Sequence, residues 1–328
     1  MVAIGGSTSR MPRIYLALSF FAVFVILLVT FHNIGSDSAR EPLSHALTRI
    51  SGYSISRKPL IPRLIWQTWQ TRPGDNPPAK PDDNLERLSR TWSGRNPFYT
   101  YTRLESNTSL EYIHARYKDR PDIISTFEAV TEPVLRADMI RYLVLSADGG
   151  IYSDMDTECI KSIDLWSGEH DISSVGMILG LEYDQRNDQG RLPGTSYRVQ
   201  FSQWTMASRP NHPVMQHARD RVFKSVASAL AEAGGIHLKT QADVFAMTGP
   251  MIFTAAVREG ISAQMGREVQ YKEFSMLPGP KLFGDVLVLP INGFASGVPH
   301  SGAADWGNEE QLVGHQFKGD WKVGLTGI

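Results

Sequence analysis

The run from Arg136 to Asp156 constrains the chain more than any other part of it. Arg136-Ala137-Asp138-Met139-Ile140-Arg141-Tyr142 predicts a helix. Pro133 suits its first turn, with Thr131 as a candidate cap. Ile140, Leu143 and Val144 share one face, and Asp138 and Arg141, three apart, share another. Gly149-Gly150 ends the helix, because glycine accepts the left-handed conformation found at helix ends. Ile151-Tyr152 then reads as a short strand, and Asp154-Met155-Asp156 follows at its end.

Two carboxylates two residues apart at a strand end can share one hard divalent cation, Mg²⁺ or Mn²⁺. The shell of such a cation also accepts phosphate oxygens. Bound there, it would neutralise a leaving diphosphate. An isolated Asp-x-Asp is a weak signal that reads better as two surface aspartates in a polar turn. Here an Asp-x-x-Arg helix and Gly-Gly-x-Tyr precede it. Haloacid-dehalogenase-type phosphatases also place Asp-x-Asp after an apolar strand, but they want Thr or Val where Glu158 stands. Their later Gly-Asp-x-x-x-Asp is missing too, since Gly284-Asp285 continues as Val286-Leu287-Val288-Leu289. The whole run resembles the core of the Asp-x-Asp glycosyltransferases with a GT-A fold. More narrowly, it resembles the fungal initiation-specific α-1,6-mannosyltransferases of glycosyltransferase family 32.

Further segments carry the resemblance from about Ile61 to Lys322. Ile61-Pro62-Arg63-Leu64-Ile65-Trp66-Gln67-Thr68-Trp69 is similar to the family's opening strand. Open α/β sheets bind ligands at the carboxyl ends of their strands. The resemblance implies that Trp66 stacks on the nucleobase, with Gln67 and Thr68 close by. As plain residues, both tryptophans read equally as core aromatics, and Trp69 is assigned to the core. Gln200 to Ala207, followed by Arg209-Pro210-Asn211-His212-Pro213, is similar to a strand that leads through a His-Pro turn into a long helix reaching about Ala233. Gln203 is the candidate on that strand for contacting the donor sugar, the alternative being a solvent-facing polar side chain. Thr248-Gly249-Pro250 also matches and starts a helix; no chemistry is assigned to it. Gly314-His315-Gln316-Phe317-Lys318-Gly319-Asp320-Trp321-Lys322 resembles the closing motif of retaining enzymes of this fold. There the histidine is the third protein ligand of the metal, so His315 is the candidate, with His300 as competitor. Trp321 joins the donor site by the same resemblance. The imidazole tilts the metal towards Mn²⁺ over Mg²⁺.

The implied enzyme is a retaining, metal-dependent glycosyltransferase. Asp154, Asp156 and His315 hold the metal. Asp138 and Arg141 face the donor sugar and its phosphate, with Tyr152 beside them. Arg136 is a further donor candidate, or a surface arginine of the helix. No carboxylate in the motifs stands out as a covalent nucleophile, so same-face attack by the acceptor hydroxyl is expected. The expected donor is GDP-mannose and the expected acceptor an N-glycan core mannose. Two other readings stay open. Related enzymes mannosylate inositol-phosphoceramide lipids, and an inactive carbohydrate-binding relative would keep the same motifs.

Elsewhere the chain supplies an address and a stem. Ile14 through Phe31 is apolar except for Ser19 and Thr30. At about 1.5 Å per residue it would reach roughly 27 Å, enough for a thin bilayer. Arg10 and Arg13 precede it and no acidic residue does, which predicts a cytosolic N-terminus. A cleaved signal peptide is the competing reading, but Phe31-His32-Asn33-Ile34 is a poor cleavage site. The expected organisation is a cytosolic tail (1–13), a signal-anchor (14–31), a polar stem (32–60) and one α/β, GT-A-like catalytic domain (61–328). That describes a single-pass type II protein of the Golgi, or of the endoplasmic reticulum, with a lumenal domain. Asn107-Thr108-Ser109 is then a glycosylation acceptor. With 33 Lys and Arg against 34 Asp and Glu, the charge balance gives no support to nucleic-acid binding. Cys159 is the only cysteine, so no intrachain disulfide can form.

Overall fold

The computed structural model describes residues 59–185, 197–232, 235–298 and 301–319, together with Lys322 and Leu325. The expected tail and anchor, nearly all of the stem, His300, Trp321 and most of the loop from Asp184 to Gly194 lie outside the described residues. Among the described residues no helix is long and apolar enough to cross a membrane.

In chain order the elements are β1 (Leu64–Trp69), α1 (Asp83–Arg95), β2 (Thr100–Glu105), α2 (Ser106–Arg116), α3 (Pro121–Ala129) and α4 (Pro133–Ala147). They continue with β3 (Gly150–Ser153), β4 (Thr157–Cys159), β5 (Met177–Asp184), β6 (Val199–Ser208) and α5 (Pro213–Ala231). The last are α6 (Gln241–Met247), α7 (Pro250–Met265), β7 (Lys281–Phe283), β8 (Val286–Val288), α8 (Ile291–Ala295) and β9 (Val313–His315). Seven strands form one sheet in the order β2-β1-β3-β6-β5-β8-β7, and β4 pairs with β9 in a second. Strand β1 runs parallel to β2 and β3, whereas β6 runs antiparallel to β3 and β5.

Both faces of the large sheet are buried, and the pleat explains how. Successive side chains along a strand point to opposite faces. Ile65, Ile151, Ile178 and Ala207 therefore join one apolar cluster, with Trp92 of α1 and Phe294 of α8. Their neighbours Trp66, Tyr152, Leu179 and Met206 join the other, with residues of α3, α4, α5 and α7. Helix α4 is apolar on most sides, and nearly every residue from Leu135 to Ser146 is buried. A helix of that kind belongs inside the domain. It packs against α5 and against the β1 and β3 strands.

Pro133 opens α4 as expected, but Glu132 rather than Thr131 occupies the cap position, without a side-chain cap bond. α2 ends at Arg116, and Pro121 starts α3, where a missing N–H costs nothing. Gly149 and Gly150 both have left-handed backbones, with φ of 68° and 100°. A Cβ on Gly149 would meet Pro210 N and Ser208 O at 2.6 Å, and one on Gly150 would meet Leu64 O at 2.6 Å. The Gly-Gly pair thus lets the chain turn from α4 into the slot between β1 and β6. Gly150→Ala combines a left-handed penalty with a backbone clash. Its chemical-denaturation midpoint should fall by the equivalent of about 3 kcal/mol.

Candidate functional site

The Asp pair sits on a tight turn between β3 and β4. The Asp154 carbonyl accepts from the Thr157 amide at 3.2 Å, the Thr157 hydroxyl at 2.6 Å and Gln67 Nε2 at 2.9 Å. The Asp154 amide donates to the Trp204 carbonyl at 2.8 Å, so β6 backs the turn. The Ser153 hydroxyl bridges those of Thr157 and Thr205 at 2.8 and 2.5 Å. None of these bonds uses the two carboxylates.

Arg141 joins the turn to α4. Its Nη2 lies 2.9 Å from Asp138 Oδ1 and 3.0 Å from Asp154 Oδ1, with the guanidinium 5.1 Å from the Tyr152 ring centroid. The Tyr152 hydroxyl donates to the same Asp154 oxygen at 2.7 Å. Burial opposes the Arg141 charge, but Asp138 and Asp154 hold it protonated, well above its ordinary range. Burial raises both carboxyls in spite of that cation. Asp138 is further tied by the Thr248 hydroxyl at 2.6 Å, with Gln203 Nε2 at 3.5 Å.

His315 arrives from the other end of the chain. Strand β9 pairs antiparallel with β4 and sets His315 opposite Thr157. The ring is flanked by Trp204 and Phe317, with centroid distances of 4.4 and 3.7 Å. Its Nε2 lies 3.1 Å from Asp156 Oδ1, and the Lys318 amide donates to Asp156 Oδ2 at 3.1 Å. Burial presses the Asp156 carboxyl upward, but the His315 ring and the Lys318 amide outweigh it and hold the carboxyl low. One ligand atom from each of Asp154, Asp156 and His315 lies within 4.8 Å of the others, close enough to share one ion. His315 Nδ1 is buried without a hydrogen-bond partner. Two carboxylates and an imidazole are a donor set suited to a divalent cation of the Mn²⁺ or Mg²⁺ type, with remaining positions open to phosphate oxygens.

The three candidate ligands border a cavity of about 610 Å³. Asp138, Arg141, Tyr152, Gln203 and Thr68 also line it. Gln67 does not; it braces the turn instead and accepts from the Tyr101 hydroxyl at 2.8 Å. Three expectations need correcting. Trp66 does not line the cavity: its indole donates to Gly149 O at 2.8 Å and packs edge-on against Tyr112 in the core. Trp69, assigned to the core, borders the cavity. Arg136 also points away, since it donates to the Phe127 and Val130 carbonyls at 3.3 and 3.1 Å and closes the end of α3. Burial lowers its pKa, with no carboxylate bound to it. Asn107 is exposed in the first turn of α2, while Ser109 is buried. The residue reading named Thr248 without giving it a role and passed over Glu182, which directly follows the apolar run Met177 to Leu181.

Asp156→Asn removes a charged ligand and little volume. Mn²⁺ affinity, measured by calorimetry on the purified protein, should fall by more than ~10-fold, because even partners behind the ligands are worth that much. The melting temperature should stay within a few degrees. Arg136→Met should do the opposite. It should lose about 1–2 kcal/mol of stability, because the buried Val130 carbonyl loses its donor while the Phe127 carbonyl keeps the Val130 amide, and it should leave nucleotide affinity unchanged.

Residues 82–173 match the family described as "Glycosyltransferase sugar-binding region containing DXD motif". The chain is 34% identical over 270 residues to the initiation-specific alpha-1,6-mannosyltransferase of Schizosaccharomyces pombe, across 80% of this chain and 64% of that protein. It is 30% identical over 286 residues to the Candida albicans protein of the same name, across 80% of this chain and 72% of that protein. The chain thus spans less than two thirds of the first relative's length. Among solved structures, the PaToxG glycosyltransferase overlaps 63% of this chain and 72% of its own, at 16% identity and a TM-score of 0.43. The extent of the Candida match, together with the Asp-x-Asp region, shows that the chain belongs to the Asp-x-Asp glycosyltransferase family that includes the fungal initiation-specific α-1,6-mannosyltransferases.

Proposed function

We propose that the protein transfers mannose from GDP-mannose to an N-glycan core mannose through an α-1,6 bond with retention, using Mn²⁺. The observation that carries the reading is the Asp154, Asp156 and His315 group, set on the wall of a cavity shared with Asp138, Arg141 and Gln203. The two mannosyltransferase relatives support the choice of sugar.

The bound cation would neutralise charge on the departing diphosphate. The chain's own residues do the rest. Arg141 adds a fixed positive charge beside Asp154, and Lys318 and Lys322 also line the cavity on the side of the closing segment. Preorganised charges of this kind stabilise a leaving anion without reorganising during the step. Gln203 is oriented by Tyr142, whose hydroxyl lies 2.7 Å from its Oε1. With Asp138, it offers hydrogen bonds to the hydroxyls of the hexose. A polar site of this kind discriminates strongly against a sugar that leaves a buried group unpaired. The α/β domain is read as GT-A-like and lumenal, carried on the 14–31 anchor in the Golgi or endoplasmic reticulum.

A nucleotide-sugar screen with Mn²⁺ and an oligomannoside acceptor tests this function. GDP-mannose should turn over in preference to UDP-glucose, UDP-galactose and UDP-N-acetylglucosamine, and chelator should abolish transfer. Preference for a UDP-sugar would sink the mannosyl assignment. Transfer to inositol-phosphoceramide vesicles but not to the oligomannoside would replace the acceptor. Protease added to sealed microsomes should spare the catalytic domain; its digestion would reverse the topology.

A further inference from the structure

Thr248-Gly249-Pro250 joins α6 to α7. The amides of Thr248 and Gly249 both donate to the Val244 carbonyl at 3.0 Å and end α6. A Cβ on Gly249 would meet Phe245 Cα at 2.6 Å, so glycine is what lets the linker pass this close to α6. Pro250 takes the first position of α7, where its missing N–H costs nothing. The glycine and the proline thus set the backbone, and neither calls for a threonine before it. Val244, Phe245 and Pro250 line the cavity, whereas Thr248 is fully buried and meets a cavity residue, Asp138, through its hydroxyl.

That hydroxyl lies 2.6 Å from Asp138 Oδ2, within the range of a charge-assisted bond to a carboxylate. A carboxylate oxygen only accepts, so Thr248 donates. The other oxygen, Oδ1, is held by Arg141 Nη2 at 2.9 Å, with Gln203 Nε2 at 3.5 Å. Two anchors on two oxygens fix the plane of the carboxyl group. With Arg141 alone the plane would be free to turn, because the outer torsion of an aspartate is broad and lacks sharp staggered wells. Each oxygen accepts about two hydrogen bonds, so Oδ2 keeps capacity for a ligand after Thr248 is bound. The Thr248 carbonyl lies 2.8 Å from the Tyr142 hydroxyl, which is also 2.7 Å from Gln203 Oε1. Asp138 comes from α4 and Gln203 from β6, so one residue at the end of α6 meets the supports of both.

We propose, resting on the transferase reading above, that Thr248 is a positioning residue for the donor sugar, and that its hydroxyl fixes the plane of the Asp138 carboxylate that the hexose meets. It touches no substrate atom and acts through Asp138. Loss of the hydroxyl leaves the acceptor oxygens of Asp138 in place but no longer aimed. The nucleotide and the metal are held elsewhere, so the loss falls on the sugar alone.

The test is run on the full chain with Mn²⁺, an oligomannoside and GDP-mannose, or whichever nucleotide sugar the wild type turns over. Thr248→Val keeps the size and the backbone carbonyl and removes only the hydroxyl. Its transfer kcat/KM should fall by at least ~10-fold, as the loss of a hydrogen bond to a charged group warrants. Its Kd for GDP, which has no hexose, should stay within about twofold. Thr248→Ser, which keeps the donor without the methyl group, should come within about threefold of wild type. On an Asp138→Ala background, Thr248→Val should cost less than about twofold more, because a residue that acts through another then has nothing to act on. Thr248→Cys, with a weaker donor at the same place, should fall between serine and valine, and it carries the comparison if the valine variant does not fold. Transfer by Thr248→Val within about threefold of wild type would overturn the assignment, as would an equal loss with serine, or the full loss repeated on Asp138→Ala. Thr248→Cys as active as Thr248→Ser would do the same. A wild type that turns over no nucleotide sugar would instead remove the transferase reading, and this assignment with it.

Discussion

Arg141 is the interaction on which the site depends. One nitrogen of a buried guanidinium bridges Asp138 on its own helix and Asp154 at the end of β3. Taking three charges out of water is costly, and their mutual attraction offsets that cost only with good geometry and further hydrogen bonds. Both are present: Tyr152 donates to Asp154, and Thr248 donates to Asp138. Removing the cation would leave the buried Asp138 and the partly buried Asp154 without an ionic partner; for a fully buried pair such a change typically costs about 3–5 kcal/mol. The guanidinium therefore couples helix α4, the Asp154-Asp156 turn and the C-terminal end of α6 in one electrostatic unit. One oxygen of Asp154 is committed to this unit, and the other remains for a cation.

The backbone around that unit is arranged to keep it still. Gly149 and Gly150 bring the chain from α4 into the sheet without a side chain in the way. The Asp154 carbonyl gathers three donors, so the turn does not rely on the carboxylates for its shape. Strand β9 then supplies His315 from about 160 residues further along the chain, by simple pairing with β4. Trp204 connects two roles, since its ring packs on His315 and its N–H holds Glu182. The candidate metal ligand His315 and the carboxylate of Glu182 thus share one aromatic neighbour.

Much of this was legible before any coordinates. The α4 and β3 boundaries followed from proline, the glycine pair and apolar spacing. The Asp-x-Asp turn followed from its place after a short strand, and α5 from the His-Pro turn. These signals are local, because each depends on residues within a few positions of one another along the chain. The direction of a side chain in a strand is not local. Trp66 and Trp69 are three apart on β1, so the pleat sends them to opposite faces, and the partner on each face decides which is core. Arg136 looked like its neighbours Asp138 and Arg141, yet it points at the end of α3 because a helix turns by about 100° per residue.

The sequence by itself determined the α/β class, the family, the Asp pair and the helix that carries Asp138 and Arg141. Short-range periodicity and glycine stereochemistry are enough for the helix and the turn, while the fold class and the family rest on the resemblance of several motifs in order along the chain. Only the tertiary structure decided that His315 faces Asp156, that Thr248 holds Asp138, and that Glu182 opens into the same cavity. Each depends on strand order and pairing between segments far apart in the chain. Hydrogen bonds between such segments leave no periodic trace in either one.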